Sequence, residues 1–181
     1  MQNRSKLTLG IFLIPVFALL GAGQTKDKSQ RPSPPAKAQC KFSDGNSITV
    51  DYSSPRVKGR KIFGDLVPYG EVWRTGANEA TTLTTEIDLN IGGAKVPAGT
   101  YTLYTLPSQD SWKLIINKKT GEWGIPYKYE SDELGRVDMK VSPTASPVED
   151  FTIAFDQNGS TCTMNLSWEN TKASVALREA K

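Results

Sequence analysis

Asn158-Gly159 stands between two alternating runs, DFTIAF and TCTMNLSW, an arrangement that admits little besides an antiparallel hairpin. A two-residue turn there sets Phe155 opposite Cys162, Ile153 opposite Met164 and Phe151 opposite Leu166. All six are the apolar members of their runs, so turn chemistry and burial point to the same pairing. Period-two alternation recurs along the chain. AQCKF and SITVDY form a hairpin, and a three-residue loop over residues 44–46 sets Phe42 opposite Ile48 and Cys40 opposite Val50. TTLTTEIDLNI reads as one half-exposed strand. Gly92-Gly93 offers a tight turn that places Leu89 opposite Val96, and Pro97-Ala98-Gly99 a further one. YTLYTL and WKLIIN are apolar on both faces and read as central strands covered on each side. NKKTGEWGIPYKYESDELG is a polar surface excursion carrying Trp123, Tyr127 and Tyr129. VDMKV is a short strand ended by SPTASP, and KASVALR is the last strand. No helix longer than a turn or two is readable. Eight to ten short strands joined by hairpins predict an all-β antiparallel sandwich with one long irregular loop region.

The first residues read as a leader. Arg4 and Lys6 precede an apolar run over residues 7–20, and Gly21, Ala22 and Gly23 supply small residues for cleavage after Gly23. The run is short for a membrane span, so no stable insertion is expected after cleavage. Residues 24–37, QTKDKSQRPSPPAK, read as a disordered Pro-rich linker, and residues 38–181 as one sandwich domain. Removing residues 1–23 takes away two cations and no acid, lowering the net charge from +3 to +1. That balance gives no reason to expect nucleic acid as a partner.

The chain has two cysteines and no histidine. Without histidine, Ser-His and Cys-His nucleophile pairs are excluded and the commonest metal ligand is missing. No catalytic residue, metal site or cofactor is expected. In an exported chain the cysteines predict a disulfide. Cys40 and Cys162 share the apolar faces of their strands and meet if the first and penultimate strands are neighbours; two buried free thiols are the alternative.

Residues 54–82, SPRVKGRKIFGDLVPYGEVWRTGANEATT, break the strand pattern. Four glycines and two prolines forbid a long regular element. Such loops are where a rigid β scaffold presents binding groups. Arg74, Asn78 and Glu79, framed by Tyr69 and Trp73, combine donors with aromatic surface, a chemistry suited to a glycan or a small anionic ligand. The competing reading pairs Arg74 internally with Glu71 or Glu79, making the trio a clasp. Trp73 could stack on a sugar, yet its alternation against Arg74 could equally send it into the core. Arg56, Lys58, Arg60 and Lys61 form a cationic cluster that reads as a weak anion patch, or as a solvated loop neutralised in part by Asp51 and Asp65. Glu71 and Glu79 are the acids a polysaccharide hydrolase would use.

At these residues the chain resembles the DUF2911 family of secreted bacterial domains of unknown function. The similarity continues through VPAGTYTLYTLP, WKLIINKKTGEWG, LGRVDMK and SPVEDFTIAF. It implies a bacterial, exported, periplasmic or extracellular all-β protein, and it implies no reaction. Cys40 and Cys162 are not part of the signature, so a disulfide would be particular to this member. Function therefore divides into a binding protein acting through residues 74–79, a carboxylate-dependent hydrolase of envelope or plant polysaccharide, and a structural envelope protein without ligand.

Overall fold

The computed structural model describes residues 27–180. The expected leader and its cleavage point lie outside the described residues. The described residues are nearly all β, with nine antiparallel strands among them: β1 (Pro35–Lys41), β2 (Ser47–Ser53), β3 (Thr81–Thr85), β4 (Leu89–Ile91), β5 (Ala94–Val96), β6 (Gly99–Pro107), β7 (Trp112–Asn117), β8 (Glu133–Asn158) and β9 (Thr161–Glu179). They follow one hydrogen-bonded order, β1-β2-β3-β6-β7-β8-β9-β4-β5, that does not close into a barrel. Strand β8 serves both ends of that order. Its residues from Glu133 to Met139 pair with β7, and those from Lys140 to Asn158 pair with β9. The sheet thereby folds over on itself, and Ile48, Leu83, Leu103 and Leu114 meet Phe151, Met164, Leu166 and Leu177 in one core.

The two layers are tied by more than packing. Tyr52 on β2 accepts a hydrogen bond from Ile153 N at 3.1 Å through its hydroxyl. Cys40 on β1 and Cys162 on β9 form the expected disulfide, with Cα atoms 6.3 Å apart. The two strands are not hydrogen-bonded neighbours; they face each other across the core.

Local pairing follows the expected faces, with instructive shifts. Leu89 lies opposite Val96, as the Gly92-Gly93 turn requires, with φ of 56° and 101° at the two glycines. In the first hairpin Cys40 lies opposite Ile48 rather than Val50. The loop has three residues, but they are Ser43, Asp44 and Gly45. The third place of such a loop needs a left-handed residue, and Gly45 at φ 96° fills it better than Asn46 would. In the last hairpin Phe155 lies opposite Met164 and Ile153 opposite Leu166. The two-residue loop is Gly159-Ser160, with glycine at φ 57° in the first place. Both shifts are by two residues, so every apolar side chain keeps its face.

Three strand assignments are corrected. SPTASP does not end a strand: β8 runs through it, with register shifts between Pro143 and Val148 and again before Thr152 that absorb the prolines as bulges. KASVALR is the second half of β9 rather than a separate strand. TTLTTEIDLNI splits into β3 and β4, because β3 pairs with β2 and β6 in one layer while β4 pairs with β5 and β9 in the other. The Thr85 hydroxyl turns the chain between them, donating to Ile87 O at 2.7 Å.

The residues expected as linker are also placed from residue 27 onward. Lys28–Gln30 form one 3-10 turn, and β1 begins at Pro35, ahead of the expected start at Ala38. Long-range pairing decides this: Pro35 lies opposite Ser53, and Lys37 meets Asp51 at 3.2 Å.

Strands β6 and β7 are covered on both faces. Leu103, Leu114 and Ile116 face the main core, while Tyr104 and Ile115 face outward with Ala80 under Val72, Tyr127 and Tyr129. That outer cover is the excursion over residues 118–132, which docks beside residues 54–80. The two loops together build the region described next.

Candidate functional site

Residues 54–60 are fastened to β8. Ser54 Oγ donates to Phe151 O at 2.7 Å, and Val57 N donates to Glu149 O at 2.9 Å. Lys58 N donates to the Glu149 carboxylate at 2.9 Å, and Arg56 is ion-paired with Asp150. The acids that neutralise this loop are therefore Glu149 and Asp150, not Asp51 and Asp65. Arg60 folds onto its own turn, donating to Val57 O at 3.0 Å and Arg56 O at 2.6 Å. Lys58 and Lys61 are exposed. Of the four cations, Arg56 alone has an ion-pair partner among the described residues.

Trp73 is the pivot of the loop. Its backbone exchanges two hydrogen bonds with Thr105 on β6, at 2.8 and 2.9 Å. Its side chain is only 9 % exposed and stacks on Trp168 at 5.8 Å, with the Phe151 ring centroid at 5.0 Å. The indole N–H donates to Gly76 O at 3.0 Å. Trp73 thus belongs to the core and offers no open face for a sugar. Tyr69 is 39 % exposed and packs over Gly64, where an added Cβ would lie 2.7 Å from the ring.

Arg74, Asn78 and Glu79 reach three separate segments. Arg74 Nη1 donates to Asn78 O at 2.7 Å and Trp123 O at 3.1 Å, and its guanidinium lies 5.4 Å from the Trp123 ring centroid. Asn78 Nδ2 donates to Ser33 O at 3.0 Å. Glu79 pairs with Arg31 at 2.7 Å and Lys28 at 3.1 Å. The trio does not converge on one point, and Arg74 pairs with neither Glu71 nor Glu79. Lys28 and Arg31 escape a reading by sequence, since their proline-rich surroundings carry no strand signal.

The Arg31 hydrogen bond holds the Glu79 carboxyl at about 2, below its ordinary 4.5. A carboxyl lowered on folding stabilises the fold above pH 4.5, and the contribution is lost as pH falls from there toward 2. At 44 % side-chain exposure, solvent screening limits it to about 1 kcal/mol. Urea denaturation of wild type and Glu79→Gln should differ by that amount at pH 7, and the difference should shrink as pH falls through 2. A difference as large at pH 2 as at pH 7 would contradict the pairing.

The exposed large apolar side chains among the described residues are Leu66, Tyr69, Trp123 and Ile125, all on these two loops. Two clefts adjoin there. The first, about 270 Å³, is lined by Arg60, Arg74, Leu66, Trp73, Ile125 and Trp168, with no carboxylate in its wall. The second, about 430 Å³, is lined by Val67, Pro68, Val72 and Tyr127, and also by Glu71 and Glu130. Leu66, Val67, Trp73 and Ile125 belong to both. Glu79 lines a different cleft beside Lys28 and Tyr52, so Glu71 and Glu79 do not flank one bond.

The excursion wall is held firmly. Tyr127 OH donates to Glu133 at 2.6 Å and accepts from Asn117 Nδ2 at 3.1 Å; burial and the Glu133 carboxylate push its pKa up. Tyr129 OH donates to Glu122 at 3.1 Å. Gly124, at φ 93°, fits where a Cβ would come within 2.9 Å of Ala80 and 3.1 Å of Tyr104. Tyr104 beneath it is wholly buried, and its hydroxyl, without a hydrogen-bond partner, is pushed up to about 12 by burial. The clefts therefore lie between preformed walls.

The family model for DUF2911, a protein of unknown function, matches residues 33–177. The chain belongs to this family. No curated protein and no solved structure matches it. The match takes in the whole of residues 54–82, both clefts, and Ser33, which receives Asn78. It stops short of Lys28 and Arg31, so in this DUF2911 protein the Glu79 pairing reaches outside the matched stretch. Among the described residues no helix is long and apolar enough to cross a membrane.

Sequence reasoning missed the apolar rim of Leu66 and Ile125. Its available signal was large apolar residues inside stretches otherwise polar and rich in turns.

Proposed function

We propose that this DUF2911 protein is an exported binding protein that takes a small anionic ligand in the cleft of Arg60 and Arg74. The carrying observation is the state of Arg74. Its side chain is half-buried, and burial lowers its pKa, yet it has no carboxylate partner. Nη1 is occupied by two carbonyls, while Nε and Nη2 have no acceptor among the described residues. A part-buried guanidinium without a counter-charge gains from an incoming anion, and two N–H groups open to solvent suit a carboxylate or phosphate oxygen pair. Arg60 adds a second positive charge, and no acid in the wall opposes it. Anion binding is favoured over a stacked glycan because Trp73 is buried and Arg74 lies against Trp123. The hydrolase reading loses the pair it named, because Glu71 and Glu79 lie in different clefts. The disulfide supports export to an oxidising compartment.

Calorimetric titration with octanoate, benzoate and inorganic phosphate tests this. At least one anion should bind, and Arg74→Lys, which keeps the charge but loses the fork, should weaken it about tenfold or more. Arg60→Gln should weaken it too, and thermal melts of both variants show whether the loop remains folded. Absence of binding at millimolar anion, or affinities unchanged in both variants, would overturn the proposal.

A further inference from the structure

The first cleft does not end at the arginines. It shares Leu66, Val67, Trp73 and Ile125 with the second cleft, so the two adjoin along one apolar wall. The charges are divided between the two clefts. Arg60 and Arg74 line the first only, Glu71 and Glu130 the second only, and the residues common to both, Leu66, Val67, Trp73 and Ile125, are apolar. Leu66 and Ile125 are 45 % and 42 % exposed at the junction, an unusual outlay of large apolar surface in otherwise polar loops.

Building on the anion reading above, we infer that the ligand is a free amphiphile. Its carboxylate head sits at Arg60 and Arg74, and its alkyl chain crosses Leu66 and Ile125 into the cleft beside Val72 and Pro68. Charge selects this class in two ways. A second anionic group at the chain end would meet Glu71 and Glu130, so monocarboxylates are preferred to dicarboxylates. The same acids oppose approach of an anionic bilayer, so the ligand enters as a monomer from solution. The concave walls bury the chain, and burial of methylenes is the source of affinity.

The test is a chain-length series, butanoate to decanoate, each below its micelle-forming concentration, titrated into the wild-type protein. Affinity should rise by about two- to fourfold for each added methylene until the second cleft is filled. The dicarboxylate of equal length should bind at least about tenfold more weakly, a like-charge penalty of about 1.4 kcal/mol. Leu66→Ser, a change at an exposed position, should flatten the dependence on chain length. If butanoate and decanoate bind equally and Arg74→Lys weakens both, the amphiphile inference is overturned and the anion site stands. If none binds while benzoate or phosphate does, the amphiphile inference is overturned and the anion site stands; if no anion binds, both are overturned. If binding is seen only with vesicles containing anionic lipid, the occupant is a membrane surface and the inference is overturned.

Discussion

Replacing Trp73 with alanine should lower stability by about 3–5 kcal/mol, the range for deleting a large aromatic from a packed core. Four rings surround the indole. Trp168 stacks on it, while Phe63, Phe151 and Trp112 meet it edge-on at centroid distances of 6.1, 5.0 and 6.5 Å. These rings come from β7, β8, β9 and the 54–80 loop, so the substitution opens a cavity where the two layers and the loop join. It also leaves Gly76 O without the indole N–H. Trp73→Phe, which keeps part of the ring packing but not that donor, should fall between alanine and wild type. Guanidinium denaturation followed by circular dichroism measures both. A Trp73→Ala protein as stable as wild type would show that the indole is not a core element and would restore its reading as a ligand platform.

The second large effect concerns the disulfide. The Cys40→Ala, Cys162→Ala protein should lose about 3–5 kcal/mol. The cysteines are separated by 122 positions, and cross-links that close long loops remove the most freedom from the unfolded chain. Both are buried, at 5 % and 0 % exposure, so reductants reach the bond only after opening of the β1 and β9 layers. Denaturant titration of the double variant gives the loss. Thiol titration of denatured, unreduced wild type should find none, and two thiols per chain would show that the bond does not form.

The fold class and the paired faces were legible in the sequence, and residues 54–82 stood out by composition as the break in the strand pattern. Alternation tells which side chains share a face, and it holds in every hairpin. Alternation is blind, however, to a slip of two residues, since such a slip keeps all faces unchanged. Both shifted hairpins slipped by that amount. In the first hairpin the choice fell to Gly45, which takes the left-handed place; in the last, Gly159 lies in the loop in either register and does not choose between them. Gly92-Gly93 left no such choice, and its pairing was read correctly. The disulfide was legible for a similar reason, because both cysteines lie in phase with the apolar residues of their strands.

What only tertiary structure decided depends on partners distant in the chain. Strand β8 continues through SPTASP because β9 lies beside it, and TTLTTEIDLNI breaks because its halves join different layers. Residues 54–82 announced themselves by composition, but a loop without period cannot tell where a side chain points. Trp73 turned inward because Trp168 and Phe151, about 80 to 95 positions further on, form its surroundings. Glu79 found Lys28 and Arg31 in a stretch read as linker. Arg74 has Trp123 as its neighbour and no acid, and the clefts exist only where two irregular loops meet. Strand pattern is local, set by the two faces of the pleat, whereas a binding surface between loops is a product of contacts that no local period encodes.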